Sequence, residues 1–255
     1  MSGRLRVTLV QEASTQDPDR NRVRLRELVP GDADLVVLPE AFQRDFGDID
    51  SDLAPFGEDL DGPFGSEVAA VAAERGTTVV AGMFERGGDA GRPFNTLLVR
   101  GAAEASYRKI HLYDSFGYRE SDRLSAGPVE PVTFALGGFT VGLMTCYDLR
   151  FPELARSLVD AGADVLVVPS AWVAGERKVD HWRTLVRARA IENTVYVVAA
   201  GQPAPRYCGH SMIVGPLGDV VAEAGPDAAV VRGVLDASAV AEARRTNPSL
   251  ANRRG

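Results

Sequence analysis

DLVVLPE, residues 34–40, is a short run of apolar residues bounded by acids, with a proline just before its final glutamate. Leu35, Val36, Val37 and Leu38 show no alternation, so this strand has both faces covered. A second run, VLVVPS at residues 165–170, has the same composition and also ends in proline plus a polar residue. Around these two, strand and helix alternate. Strands are expected at 5–10, 77–84, 94–99, 195–199, 210–215, 220–224 and 230–235, with a hairpin of 132–136 and 139–145 about Gly137-Gly138. Helices are expected at 18–29, at 64–75 closed by Gly76, at 152–161 with proline near the start, at 178–192 and at 238–245. The count of β-rich segments and the hairpin turns argue against a simple parallel doubly wound sheet. The expectation is an α/β fold in which two sheets face each other beneath outer helices. No linker, low-complexity tract or tandem repeat interrupts residues 1–255, which read as a single domain.

Bulk properties narrow the function. The chain has 255 residues, 45% hydrophobic and 25% charged, with a formal net charge of −7. An acidic chain repels phosphate backbones, so nucleic acid is not an expected partner. No apolar run reaches the roughly 20 residues that span a bilayer, and the first residues, MSGRLRVTLVQEAS, carry no secretory pattern. A cytoplasmic protein without membrane contact is expected. The cysteines are Cys146 and Cys208, and the histidines are His111, His181 and His210. Their spacing matches neither a disulfide framework nor a zinc site, so no metal and no cofactor are expected.

Three strands end in a reactive residue. DLVVLPE delivers Glu40, AEASYRK delivers Lys109 and TVGLMTC delivers Cys146. Strand ends are where rigid scaffolds present chemistry. Cys146 precedes a segment that opens a helix. The field of a helix N-terminus would favour its thiolate and supply backbone donors for an oxyanion. The bland alternative is a small apolar core residue, which is how Cys208 reads. A nucleophilic thiol needs a proton acceptor. His111 shares the face of Lys109, and His181 beside Trp182 reads as packing, so Glu40 is the stronger candidate base. Lys109 is one of only two lysines, with Lys178. It is either an ordinary surface lysine or an ammonium that polarises a carbonyl oxygen.

The blocks VVLPEAF, YRKIHLYD, GLMTCYDLRFPE, VLVVPSAW, HWRTLVRARAIENTVYVVAAGQ, GHSMIVGPLGDVVAE and NPSLANRR, in this order, resemble the nitrilase superfamily of carbon–nitrogen hydrolases from end to end. The resemblance implies a four-layer α-β-β-α sandwich that pairs as an αββα–αββα dimer or larger homo-oligomer. It implies Glu40 as general base, Cys146 as nucleophile and Lys109 as stabiliser of the oxyanion, with Glu120 in FGYRESD as a second glutamate that orients Lys109 or relays a proton. Tyr147-Asp148 after the cysteine resembles amidase-type members, and CYDLRFPE the omega-amidase and deaminated-glutathione-amidase branch. The expected reaction is hydrolysis of a small carboxylate-bearing omega-amide through a thioester, releasing ammonia. Hydrolysis of an N-carbamoyl amino acid, hydrolysis of a nitrile, and a non-catalytic interaction module on the same fold are the alternatives. The backbone N–H of Tyr147 is a candidate oxyanion donor. Arg150 could grip a substrate carboxylate or form an internal salt bridge with Glu153 or Asp148. Trp172 could wall the pocket or pack in the core. Loops 44–61 and 173–179 are expected to set specificity.

Overall fold

The structure is a computed structural model that describes residues 3–115 and 117–254. The extreme ends of the expected domain, and Phe116 at the head of FGYRESD, lie outside the described residues. The chain runs β1 (Arg4–Gln11), α1 (Pro18–Leu28), β2 (Leu35–Val37), α2 (Pro63–Arg75), β3 (Thr78–Glu85), β4 (Phe94–Arg100) and β5 (Ala105–Arg108). A small hairpin of β6 (Asp114–Ser115) and β7 (Tyr118–Arg119) follows. Then come β8 (Thr133–Leu136), β9 (Phe139–Leu143), α3 (Pro152–Asp160), β10 (Val165–Ser170), α4 (Lys178–Asn193), β11 (Tyr196–Gly201), β12 (Met212–Val214), β13 (Val220–Glu223), β14 (Ala229–Asp236) and α5 (Ala237–Thr246).

Two six-stranded sheets result, ordered β14-β1-β2-β3-β4-β5 and β8-β9-β10-β11-β12-β13. In each, three strands run parallel at the centre and the outer ones antiparallel. The path β1-α1-β2-α2-β3-β4-β5 is thus repeated by β9-α3-β10-α4-β11-β12-β13. The two halves share a plan that no tandem repeat in the sequence announces.

The apolar run that opened the sequence reading behaves as its lack of alternation requires. Leu35 and Val37 point between the sheets, where they join Val141, Leu143, Val165 and Val167. Val36 and Leu38 point outward, against Leu25 of α1 and Phe64, Val68 and Val71 of α2. Trp182, Val186 and Ala190 of α4 and Leu154 and Leu158 of α3 cover the other sheet. The layers are α-β-β-α, and the central strands of both sheets are covered on both faces, while the outer strands β13 and β14 expose Val220, Val221, Val230 and Val234. Helix ends follow local chemistry. Asp17 caps α1 by accepting from the Asp19 and Arg20 amides, and Gly76 ends α2 in the left-handed conformation at φ 63°. The strand at 165 extends through Pro169 to Ser170. Its partner β9 stops opposite Val167, so beyond that point β10 has no ladder on that side for the proline to break. No helix among the described residues is long and apolar enough to cross a membrane.

The loop leaving β2 must pass over β3 to bring Glu40 inward, and it does so at Gly82. A Cβ there would lie 2.8 Å from the Glu40 Cα and closer still to the Ala41 amide, a clash with backbone that no side-chain rotation relieves. Gly82→Ala is therefore expected to cost about 1–3 kcal/mol. In a chain of this size that is a fall of roughly 2–10 °C in the thermal midpoint by calorimetry. An unchanged midpoint would contradict this close approach.

Candidate active site

The ends of β2, β5 and β9 converge, and the four residues expected from the sequence meet there. Glu40, Lys109 and Glu120 are 1–2% exposed, and Cys146 is 8% exposed. The Lys109 Nζ donates to Glu40 Oε1 at 2.9 Å, to Glu120 Oε1 at 3.0 Å and to Glu120 Oε2 at 2.9 Å. Lys109 is thus no surface lysine; its ammonium is held between two carboxylates. Glu40 is held from several directions. Its Oε1 also accepts from Asn95 Nδ2 at 2.7 Å, its Oε2 accepts from the Ala171 amide at 2.7 Å, and its carbonyl accepts from Gln202 Nε2 at 3.0 Å. Ala171 and Gln202 follow β10 and β11, so the far sheet grips a residue delivered by the near one. Glu120 Oε2 takes the Tyr113 amide at 2.6 Å.

Charge in so dry a place dictates protonation. Burial alone would push the Lys109 ammonium toward neutrality, but the charges of Glu120, Glu40 and Cys146 outweigh it and hold its pKa well above the ordinary lysine range. Glu120 is raised, chiefly by burial and also by Glu40, against the pull of Lys109. Burial and then the Glu40 charge push the Cys146 thiol well above its usual range. Its hydrogen bond to Glu40 and the charge of Glu120 add to this, and Lys109 only partly opposes it. This corrects the expected thiolate. Cys146 opens a 3-10 turn, Cys146–Arg150, before α3 begins at Pro152. The field of so short a turn does not offset burial beside a carboxylate. At rest the Cys146 side chain is a neutral thiol beside the Glu40 carboxylate.

The turn itself is strained: Cys146 sits at φ 46°, and Ala41, next to Glu40, at φ 55°. Asp148 holds it. This fully buried carboxylate accepts from the Thr145 amide at 2.9 Å, from the Tyr107 hydroxyl at 2.6 Å and from the His111 amide at 3.1 Å, and it lies 2.7 Å from His111 Nδ1. Tyr107 and His111 flank Lys109, so one carboxylate ties the cysteine turn to the lysine strand. The His111 ring stacks on Phe151 at 3.7 Å between centroids. Sequence reading missed Asp148, Tyr107 and Asn95. The available signal was slight: Asn95 and Tyr107 are hydrogen-bonding residues inside β4 and β5.

Tyr147, Arg150 and Trp172 line a cavity of about 540 Å³ together with Glu40, Lys109, Glu120 and Cys146. The loops 44–61 and 173–179 contribute Phe46, Gly47, Ile49, Val173 and Lys178. Arg206 and Tyr207, from a loop the sequence did not single out, complete one side and are tied to Asp45 at 2.9 and 2.7 Å. The Arg150 guanidinium lies 4.9 Å from the Trp172 ring centre and 5.9 Å from that of Tyr147, with His181 Nδ1 at 3.5 Å. No carboxylate among the described residues forms an ion pair with it, so the internal salt bridge considered above is not made. Trp172 does both things expected of it: it walls the cavity and packs against Trp182 at 5.5 Å. Among the described residues no cluster of three or more His, Cys, Asp or Glu side chains could hold a metal ion.

Residues 6–245 match the family model described as carbon-nitrogen hydrolase. Hydrolase Rv0480c of Mycobacterium tuberculosis is 38% identical over 94% of this chain and 92% of its own length. Deaminated glutathione amidase of Escherichia coli is 38% identical over 90% of this chain and 88% of its own. Among solved structures, XC1258 of Xanthomonas campestris, a CN-hydrolase superfamily protein described with an arsenic adduct in its active site, superposes with a TM-score of 0.87. It has 31% identity over 99% of this chain and 98% of that one.

The protonation state just described is measurable. Alkylation of Cys146 by iodoacetamide, followed by peptide mass against pH, is expected to rise only on the alkaline side of an ordinary cysteine. In Glu40→Gln the rise should move to lower pH, because a negative neighbour and its hydrogen bond to the thiol are lost. Cys208, which burial pushes up to about 12, serves as the internal reference. Fast alkylation of the wild-type thiol at pH 6 would contradict the neutral-thiol assignment.

Proposed function

The chain belongs to the carbon–nitrogen hydrolase family, and from that premise we propose that it is a cysteine amidase. Its proposed substrate is a small amide that carries a carboxylate, from which it releases ammonia. The observation that carries this reading is the pairing, in one cavity, of a thiol–carboxylate–ammonium group with an arginine that has no acidic partner among the described residues. The relatives named deaminated glutathione amidase support the same direction.

In this mechanism the amide carbonyl carbon seats beside Cys146 Sγ. Glu40 takes the thiol proton as the S–C bond forms, which a neutral thiol requires. The carbonyl oxygen gains the negative charge, held by a proton of Lys109 and by the Tyr147 amide. Protonated Glu40 then passes its proton to the nitrogen, the C–N bond breaks, and ammonia leaves a thioester on Cys146. Glu40 next takes a proton from water, the hydroxide adds to the thioester, and the thiol is restored as the acid departs. One carboxylate serves both halves. Glu120 keeps Lys109 charged and fixed. Arg150, laid between two aromatic rings, presents its remaining N–H edges to the substrate carboxylate in a bidentate pair. Trp172 walls that end of the cavity.

Purified chain and Cys146→Ala should be offered omega-amides of short dicarboxylic and 2-oxo acids, N-carbamoyl amino acids and simple nitriles. Ammonia release and intact mass are recorded. The expected result is ammonia from an amide with a transient acyl adduct on the wild type, and neither from the variant. Turnover that survives Cys146→Ala would sink the mechanism. Carbon dioxide released along with ammonia would move the reading to N-carbamoyl substrates. Total inertness of a folded wild type toward the panel would count for a binding role. On the amide that works, Arg150→Leu is expected to raise KM about 10- to 100-fold, the worth of a charged hydrogen bond, with kcat changed far less. If KM is untouched, Arg150 does not hold the carboxylate.

A further inference from the structure

Lys109 and Asn95 meet the same two buried carboxylates. An ammonium has three protons. The Lys109 Nζ lies within hydrogen-bond distance of three carboxylate oxygens, Glu40 Oε1, Glu120 Oε1 and Glu120 Oε2. A shift of the ammonium toward an oxyanion lengthens at least one of these contacts, in a site where unpaired charge is costly.

Asn95 lies on β4, fully buried behind this cluster. Its carbonyl accepts the Lys109 amide at 2.8 Å and so sets where the lysine leaves the strand. Its Nδ2 donates to Glu40 Oε1 at 2.7 Å and reaches Glu120 Oε1 at 3.4 Å. These are two of the three oxygens that Lys109 itself contacts. The amide orientation is fixed by chemistry, since the reverse would set its oxygen against two carboxylates. That oxygen is buried with no partner among the described residues. A side chain left half unsatisfied so that its nitrogen can meet two acids is placed there for those acids.

We propose that Asn95 is a positioning residue of the reaction, a reserve donor on the oxygens shared with Lys109. It allows the ammonium to shift toward the oxyanion while Glu40 and Glu120 keep a donor on the oxygens it moves away from. When Lys109 turns, the 3.4 Å contact to Glu120 shortens or the bond to Glu40 carries the load alone. Asn95 does not line the cavity and touches no substrate, so its effect falls on the transition state and not on ground-state binding. The inference rests on the amidase reading above.

The test uses Asn95→Leu, which keeps the bulk and removes the donor, and Asn95→Ser, which keeps a single donor and covers the case in which leucine does not fold. Three quantities are measured for each: kcat and KM on the amide identified above, the affinity of the product acid, and the affinity of the corresponding aldehyde. The aldehyde adds to Cys146 as a hemithioacetal and places its oxygen where the oxyanion forms. The thiol hydrogen passes to that oxygen as the S–C bond is made, so atoms balance without a further reactant. In Asn95→Leu, kcat and aldehyde affinity are expected to fall together, about 10- to 100-fold, with KM and product affinity within about twofold. Asn95→Ser is expected to lie between. Unchanged kcat and aldehyde affinity in folded variants would overturn the proposal. So would a loss of product affinity equal to the loss of kcat, which marks general distortion. A wild type that neither hydrolyses an amide nor binds the aldehyde overturns the amidase reading, and this inference with it.

Discussion

An ammonium buried between two carboxylates is the constraint around which this molecule is arranged. Glu40, Lys109 and Glu120 set one ammonium against two carboxyl groups in a region almost closed to water. Remove the lysine, and two acids face each other in a dry cavity. Remove one acid, and the other alone must hold the lysine. Breaking such a buried pair costs about 3–5 kcal/mol, against a total stability of roughly 5–15 kcal/mol for a protein. The two sheets, their close face-to-face packing and the glycine under Glu40 are what allow three loops to meet with their charges matched. The same electrostatics keep the cysteine protonated at rest, with its thiol hydrogen-bonded to the acid that anchors the lysine.

Much of this could be read before any coordinates. Apolar runs without alternation identified strands covered on both faces, and their abrupt ends in glutamate, lysine and cysteine located the chemistry. The α-β-β-α layering follows from those runs and from the hairpin turns between them. Glu120 was legible only through resemblance, because nothing in FGYRESD distinguishes it from a surface acid. Its burial comes from the short turn that folds it back onto Lys109.

What escaped did so for a common reason. Asp148 looks like one more acid in a loop, and its importance lies in partners 37 and 41 positions away. Tyr107 and Asn95 sit in strands where a hydrogen-bonding residue suggests nothing more than an edge. Such residues act through register and sheet packing, which local pattern does not encode. The thiolate expectation failed on magnitude: a helix field was weighed without the burial and the neighbouring acid that outweigh it. The small hairpin of β6 and β7 is too short to show any period. Arg150 could be read either way from the sequence, and only the packing, in which neither Asp148 nor Glu153 pairs with it, separates the two readings.

The Asp148 tie has a further meaning for how the molecule comes apart. Tyr107 belongs to one sheet and Asp148 follows a strand of the other, while the Ala171 amide reaches from the second sheet to Glu40 in the first. The reactive group is thus stitched across the seam between two similar halves, and neither half holds it alone. The cluster is therefore a property of the seam: its geometry exists only while the two halves are in register.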